Sequence, residues 1–139
     1  MKKEISIVFT GDIGFDKYMD GKWDDPNLIS RDIFDFLHSA DHVVINVEGP
    51  IADLQKNNDT EGTRQLIHTM NPSATKVFEK MGADIWNICN NHIMDAGEEG
   101  IASTLEYAKI NNAQTIGAGM DIHQAQKPVI INEAGGIGM

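Results

Sequence analysis

The sequence predicts an α/β domain: a mainly parallel sheet with flanking helices. Three observations lead there. Short apolar runs rich in β-branched residues, "ISIVF", "VVINV" and "DIWNI", recur along the chain and read as buried strands. Segments with apolar residues at helical spacing lie between them. The connections are long enough for crossovers, and strand alternating with helix in this way favours parallel pairing with right-handed crossovers.

The first strand is expected over 5–9, where "ISIVF" is closed by the punctuating "TGD", so that a turn begins near Gly11. After an irregular stretch with a solvated turn "DDP" at 24–26, Ser30 caps a helix over about 31–38. Ile33, Phe34 and Leu37 share its apolar face, and Ile29 with Phe34 has the spacing of a hydrophobic staple. "VVINV" at 43–47 is the second strand. The polar "EGPIADLQKNNDTEGTRQ" that follows is a long connection of the functional kind, in which Pro50 opposes regular continuation.

Ser73 opens a short helix with Ala74, Val77, Phe78 and Met81 on its buried face, and Gly82 stops it. The third strand is expected at 84–88, and Ile101, Leu105 and Ala108 mark the core face of a helix over about 98–110. A strand near 114–117, the glycine turn "GAG" and "PVIIN" at 128–132 complete the order. Trp23 and Trp86 are expected as core or loop anchors. No repeat or linker interrupts the 139 residues, whose 41% hydrophobic content suits a single core.

A formal charge of −10 repels nucleic-acid backbones and anionic membrane surfaces. Cys89 is the single cysteine, which excludes an internal disulfide and reads as a buried, inert thiol. The apolar run in "MKKEISIVFTGD" is too short for a signal or membrane segment, so the chain is expected to be soluble and cytoplasmic.

In open parallel sheets, ligands sit beyond the carboxyl ends of the strands. Asp12 follows the first strand, Asn46 and Glu48 end the second, Asn90, Asn91 and His92 follow the third, and Gly117 and Gly119 follow the fourth. All fall on one edge. Carboxylate, amide and imidazole donors suit Mn²⁺, Fe²⁺, Zn²⁺ or Mg²⁺, and such a cation can position a phosphoryl group and lower the pKa of a water.

Plain structural roles compete with this reading. Asp12 could equally accept turn amides, and Glu48 could be a solvated loop charge. Asp95 stands three residues before Glu98 and reads as the helix N-cap of a capping box, ahead of metal ligation. Asn90 and Asn91 suit turns with left-handed backbone. His92 reads as functional rather than merely half-buried, because it shares an edge with Asp12 and Glu48. His38, His42, His68 and His123 read as structural or solvent-facing, although the long loop carrying His68 could fold over the site. The glycine pair reads as a tight turn ahead of a phosphate cradle.

The order "FTGDIG", "NVEGPI", "NNHIMDAGEEGIASTL" and "GAG" resembles the poly-gamma-glutamate capsule synthesis family of CapA/PgsA type across nearly the whole chain. Its most specific stretch is similar to that family's Asn-Asn-His-x-x-Asp-x-Gly-x-x-Gly-x-x-x-Thr-Leu signature. The resemblance implies kinship with calcineurin-like metallophosphoesterases, with the chain as the amino-terminal portion of an αββα sandwich. It further implies a divalent metal site at Asp12, Glu48, Asn91 and His92, with Asp12 and His92 catalytic and Asn46, Asn90 and Asp95 supporting.

The sequence departs from that pattern at two motifs. The usual Asp-x-His reads Asp12-Ile13-Gly14, which removes one ligand, and Asn46 with Glu48 stands where an aspartate is usual. Family domains usually continue into a second sheet with further histidines, so the chain is expected to be truncated, inactive alone and prone to self-association through uncovered apolar surface. Two functions are expected of the complete protein. One is phosphoester hydrolysis; the other is a non-catalytic module binding an anionic polymer through cations and capsule-synthesis partners. Many relatives of this kind are membrane-anchored and extracytoplasmic.

Overall fold

The structure is a computed structural model that describes residues 4–53, 68–131 and 137–138. Four strands, β1 (Ile7–Ile13), β2 (His42–Val47), β3 (Ile85–Asn87) and β4 (Gln114–Ile116), form one sheet in the order β1-β2-β3-β4. All three pairings are parallel. The expected α/β class with a mainly parallel sheet and flanking helices is therefore the observed one.

Helix α1 (Arg31–His38) connects β1 to β2, α2 (Thr75–Lys80) lies between β2 and β3, and α3 (Gly97–Ile110) connects β3 to β4. A sheet that steps in one direction through crossovers of one hand keeps its helices on one face. The main core lies there: Val43, Ile45, Val47, Trp86 and Ile88 meet Leu37, Val77, Phe78, Ile101 and Ala108. Trp86 and Phe78 are fully buried, with ring centroids 5.2 Å apart in an edge-on arrangement. Trp23 packs against Phe15 at the margin.

The opposite face differs from expectation. "PVIIN" forms only the short strand β5 (Ile130–Ile131), which pairs antiparallel with β6 (Ile137–Gly138) instead of extending the parallel sheet. Val129 and Ile131 lie across Val44 and Ile85, because alternation turns those two side chains away from the helices. A short helix α4 (Ile122–Ala125), capped by Asp121 accepting from the Gln124 N–H at 2.8 Å, precedes β5.

Further local expectations change. β1 does not end at residue 9; pairing resumes past a register shift between Phe9 and Asp12, so Asp12 lies within the strand, opposite Asn46. Ser30 stands at the N-cap position of α1 without a side-chain capping bond, and Ile33 is half exposed. Asn71, not Ser73, caps the 3₁₀ turn Pro72–Ala74 that leads into α2. Cys89 is exposed, because it stands beyond the end of β3 rather than within the sheet. Most of the long connection, 54–67, lies outside the described residues, but its two ends meet in a parallel bridge between Ile51 and Met70, one residue after Pro50. Among the described residues, no helix is long and apolar enough to cross a membrane.

Candidate functional site

The carboxyl ends of β1, β2 and β3 bring the polar candidates together. In β1 an extra residue between Phe9 and Asp12 re-aims the strand, a bulge that turns the Asp12 side chain to Asn46. The Asn46 amide nitrogen donates to Asp12 Oδ1 at 2.6 Å and to Glu48 Oε2 at 3.1 Å. Its amide oxygen accepts from the Asn87 side chain at 2.7 Å. One amide thus stands as the electropositive partner of two carboxylates, held in that orientation from β3.

Asn90 ties the strand ends to the loop beyond them. Its side-chain nitrogen donates to the Val47 carbonyl at 2.8 Å, while its oxygen accepts from the backbone N–H of His92 at 3.1 Å and, more weakly, of Gly49 at 3.4 Å. His92 is thereby placed with Nε2 4.0 Å from Glu48 Oε1, both side chains 19% exposed. Its Nδ1 lies 2.8 Å from Asp95 Oδ2. An ionised carboxylate only accepts, so neutral His92 carries its proton on Nδ1 and keeps an Nε2 lone pair on the Glu48 side.

Asp95 is consequently not the N-cap of α3. That position belongs to Ala96, without a side-chain bond, because the Asp95 carboxylate is already engaged by His92 and by the His68 N–H at 2.7 Å. Burial pushes the Asp95 pKa upward, but these hydrogen bonds and the nearby imidazole charges outweigh it and hold the group below the ordinary carboxylate value.

The remaining signature residues dock the loop. Thr104 Oγ1 donates to the Gly100 carbonyl and accepts from the buried Ile51 N–H, each at 2.8 Å. A Cβ on Gly100 would come within 3.0 Å of Pro50 Cβ, so this glycine lets α3 press against the Gly49-Pro50-Ile51 corner that carries Glu48. The glycine turn after β4 is likewise a packing feature: a Cβ on Gly117 would run into Cys89, and one on Gly119 into α4.

The sequence places Asp12, Asn46, Glu48, Asn90 and His92 on one edge, and the fold gathers these five together with Asp95, which was expected as a helix cap. Asn91 is exposed at that edge, and its side chain makes no hydrogen bond to the described residues. Two further participants, Asn87 and Asp16, were not expected, and a third, His68, comes from the long loop that the sequence suggested could fold over the site. Asn87 anchors Asn46, His68 packs its ring on His92 with centroids 4.1 Å apart and planes tilted by 56°, and Asp16 Oδ2 lies 2.8 Å from His68 Nδ1. The pattern of Asn87, Asn90 and Asn91 could have flagged Asn87; for His68 the signal was the long loop that carries it.

The donors are of the types that hold hard or borderline divalent cations. Two donors on one ion with bonds of about 2.1 Å can stand up to roughly 4.2 Å apart, a span that accommodates His92 Nε2 and Glu48 Oε1. A carboxylate on the far nitrogen of a histidine is also the usual orienting partner in metal sites. Among the described residues, however, no group of three or more His, Cys, Asp or Glu side chains is gathered as a metal cluster, and the Asn46 amide nitrogen binds both carboxylates. Gly14 carries no donor, although a Cβ there would make only ordinary contacts with Glu48 and Asp16. A separate cleft of about 600 Å³ runs beside β4, lined by Leu105, Lys109, Gln114 and Lys127, and none of the clustered carboxylates reaches it.

Comparison with known proteins shows the family of the chain. The family described as bacterial capsule synthesis protein PGA_cap matches residues 6–138. The chain is 28% identical over 138 residues to the "PGA biosynthesis protein CapA" of Bacillus subtilis (strain 168), covering 96% of this chain and 35% of that protein. It is 24% identical over 109 residues to the "Capsule biosynthesis protein CapA" of Bacillus anthracis, covering 78% of this chain and 26% of the relative. The chain thus spans about a third or less of the length of these two relatives. With the match running from Ser6 to Gly138, the chain belongs to the bacterial capsule synthesis PGA_cap family.

Proposed function

We propose that this chain supplies part of a metal-assisted, metallophosphoesterase-like site that serves capsule polymer synthesis, as the names of its relatives suggest. Asp12, Glu48 and His92 would hold a divalent cation, Mn²⁺, Fe²⁺, Zn²⁺ or Mg²⁺, with Asn91 as a further oxygen donor. Asn46, Asn90 and Asp95 orient them. When bound, the cation supplies Lewis-acid polarisation of a phosphoryl oxygen and neutralises charge.

The observation that carries the proposal is the convergence of Asp12 and Glu48 on one amide nitrogen, with the Nε2 of an Asp95-oriented His92 turned to the same Glu48. Two carboxylates so close repel an anionic substrate unless a positive group intervenes. A cation answers that need for a phosphoester and for a polyglutamate chain alike.

Gly14 and the Asn46 amide favour a second reading, in which the complete protein binds anionic polymer through the cation and performs no turnover. Calorimetric titration of the chain with Mn²⁺ and Zn²⁺, with a His92→Ala control, tests both. His92-dependent binding together with hydrolysis of a generic phosphodiester supports the first. His92-dependent binding of metal and polymer without hydrolysis supports the second, and binding indifferent to His92 rejects the metal site itself.

A further inference from the structure

His68 has more fixed neighbours than a loop histidine needs. Its backbone N–H donates to Asp95 Oδ2 at 2.7 Å, the same oxygen that accepts from His92. Its Nδ1 lies 2.8 Å from Asp16 Oδ2, without hydrogen-bond alignment. Its ring lies over that of His92, with centroids 4.1 Å apart and planes inclined by 56°.

The backbone is placed as tightly. Gly49, at φ +85°, is where the His68 carbonyl crosses the corner after β2, and a Cβ there would collide with it. Two residues on, the Met70 N–H donates to the Pro50 carbonyl at 2.9 Å and its carbonyl accepts from Ala52 at 3.0 Å. The chain is thus clamped on both sides of the ring that covers His92.

We propose that His68 is a positioning residue that holds the His92 imidazole against Asp95, keeping its proton on Nδ1 and its Nε2 directed at Glu48. The hydrogen bond to Asp95 holds one edge of the His92 ring, and the tilted ring of His68, with Asp16 against its Nδ1, packs on that ring as a second restraint. The proposal deepens the site reading above, in that it takes the His92 Nε2 to be the working atom.

The test is long-range ¹⁵N–¹H correlation of the His92 ring in the intact, metal-free chain at pH about 8, where imidazoles are neutral. The wild type is expected to show one tautomer, protonated on Nδ1. His68→Ala should yield mixed or broadened His92 signals, whereas His68→Phe, which keeps a ring in the stack, should retain the wild-type pattern. Core methyl signals of Ile45 and Ile88 report whether each variant is folded, and Asp16→Asn serves if His68→Ala is not, with broadening again expected.

Mn²⁺ affinity, measured alongside, should fall about 10-fold in His68→Ala, the loss usual for an orienting partner, and change little in His68→Phe. A wild-type His92 pattern in His68→Ala, or in Asp16→Asn if that is the folded variant, overturns the proposal. Equal disturbance by Ala and Phe also overturns it, because stacking would then not be the means. If His92 is ordered as expected but Mn²⁺ does not bind the wild type, the metal reading fails while the positioning role stands.

Discussion

Asp95 accepts from two histidines on a single oxygen and gains from both while it is ionised. Its folded pKa lies below the ordinary value, so the unfolded chain binds the proton more readily. The stabilisation is therefore complete above the unfolded carboxylate pKa of about 3.9 and is lost as pH falls through the lower folded value. Asp95→Asn should cost about 1–3 kcal/mol at neutral pH, and part of the wild type's loss of stability below about pH 4 should disappear. Urea denaturation of both proteins between pH about 3 and 7 measures this, and parallel curves would show that the ionised group stabilises nothing.

Among the elements, α3 carries the signature and also builds the loop beneath Glu48. Thr104 is fully buried and its hydroxyl is the acceptor for the Ile51 N–H, while Gly100 allows the close contact with Pro50. Thr104→Val keeps the shape but leaves that N–H without an acceptor, a loss of about 1–3 kcal/mol. The urea midpoint should fall with an unchanged slope. Placement of Glu48 should suffer with it, because the corner that follows Glu48 is tied to α3 by this bond. β1 contributes through an irregularity: without its bulge, the alternation of the strand would aim Asp12 away from Asn46.

At the scale of the whole molecule, the two faces of the sheet are unequally covered. The helical face buries a continuous core from Phe15 to Ala108, whereas the other holds Val44 and Ile85 under Val129 and Ile131. Phe9, which pairs with Val44 in the sheet, is 65% exposed, and Ile130 is 53% exposed. Apolar surface of this kind seeks a cover, and a second copy of the chain is the one always present. Light scattering should give a mass above that of the monomer that rises with concentration, and Phe9→Ser should lower it. A strictly monomeric chain at high concentration would show that the face is stable uncovered.

Much of the architecture was legible because it rests on local pattern. β-branched runs specify strands, apolar residues at helical spacing specify the faces of α2 and α3, and the long connections alternating with strands favour parallel order. The rule that ligands gather at strand ends brings Asp12, Asn46, Glu48, Asn90 and His92 to one edge. Roles were less legible than places. Asp95 has the spacing of a cap, but its carboxylate is taken by His92 three residues earlier and by the N–H of His68, which arrives from a more distant part of the chain. Cys89 looked like core and lies exposed. Sequence by itself determined which elements form and which strand ends meet, since hydrophobic periodicity and chain connectivity are written locally. Tertiary structure alone decided who touches whom there, because the His68–His92 stack, the Asp16 contact and the Asn87–Asn46 bond join residues that no local pattern pairs.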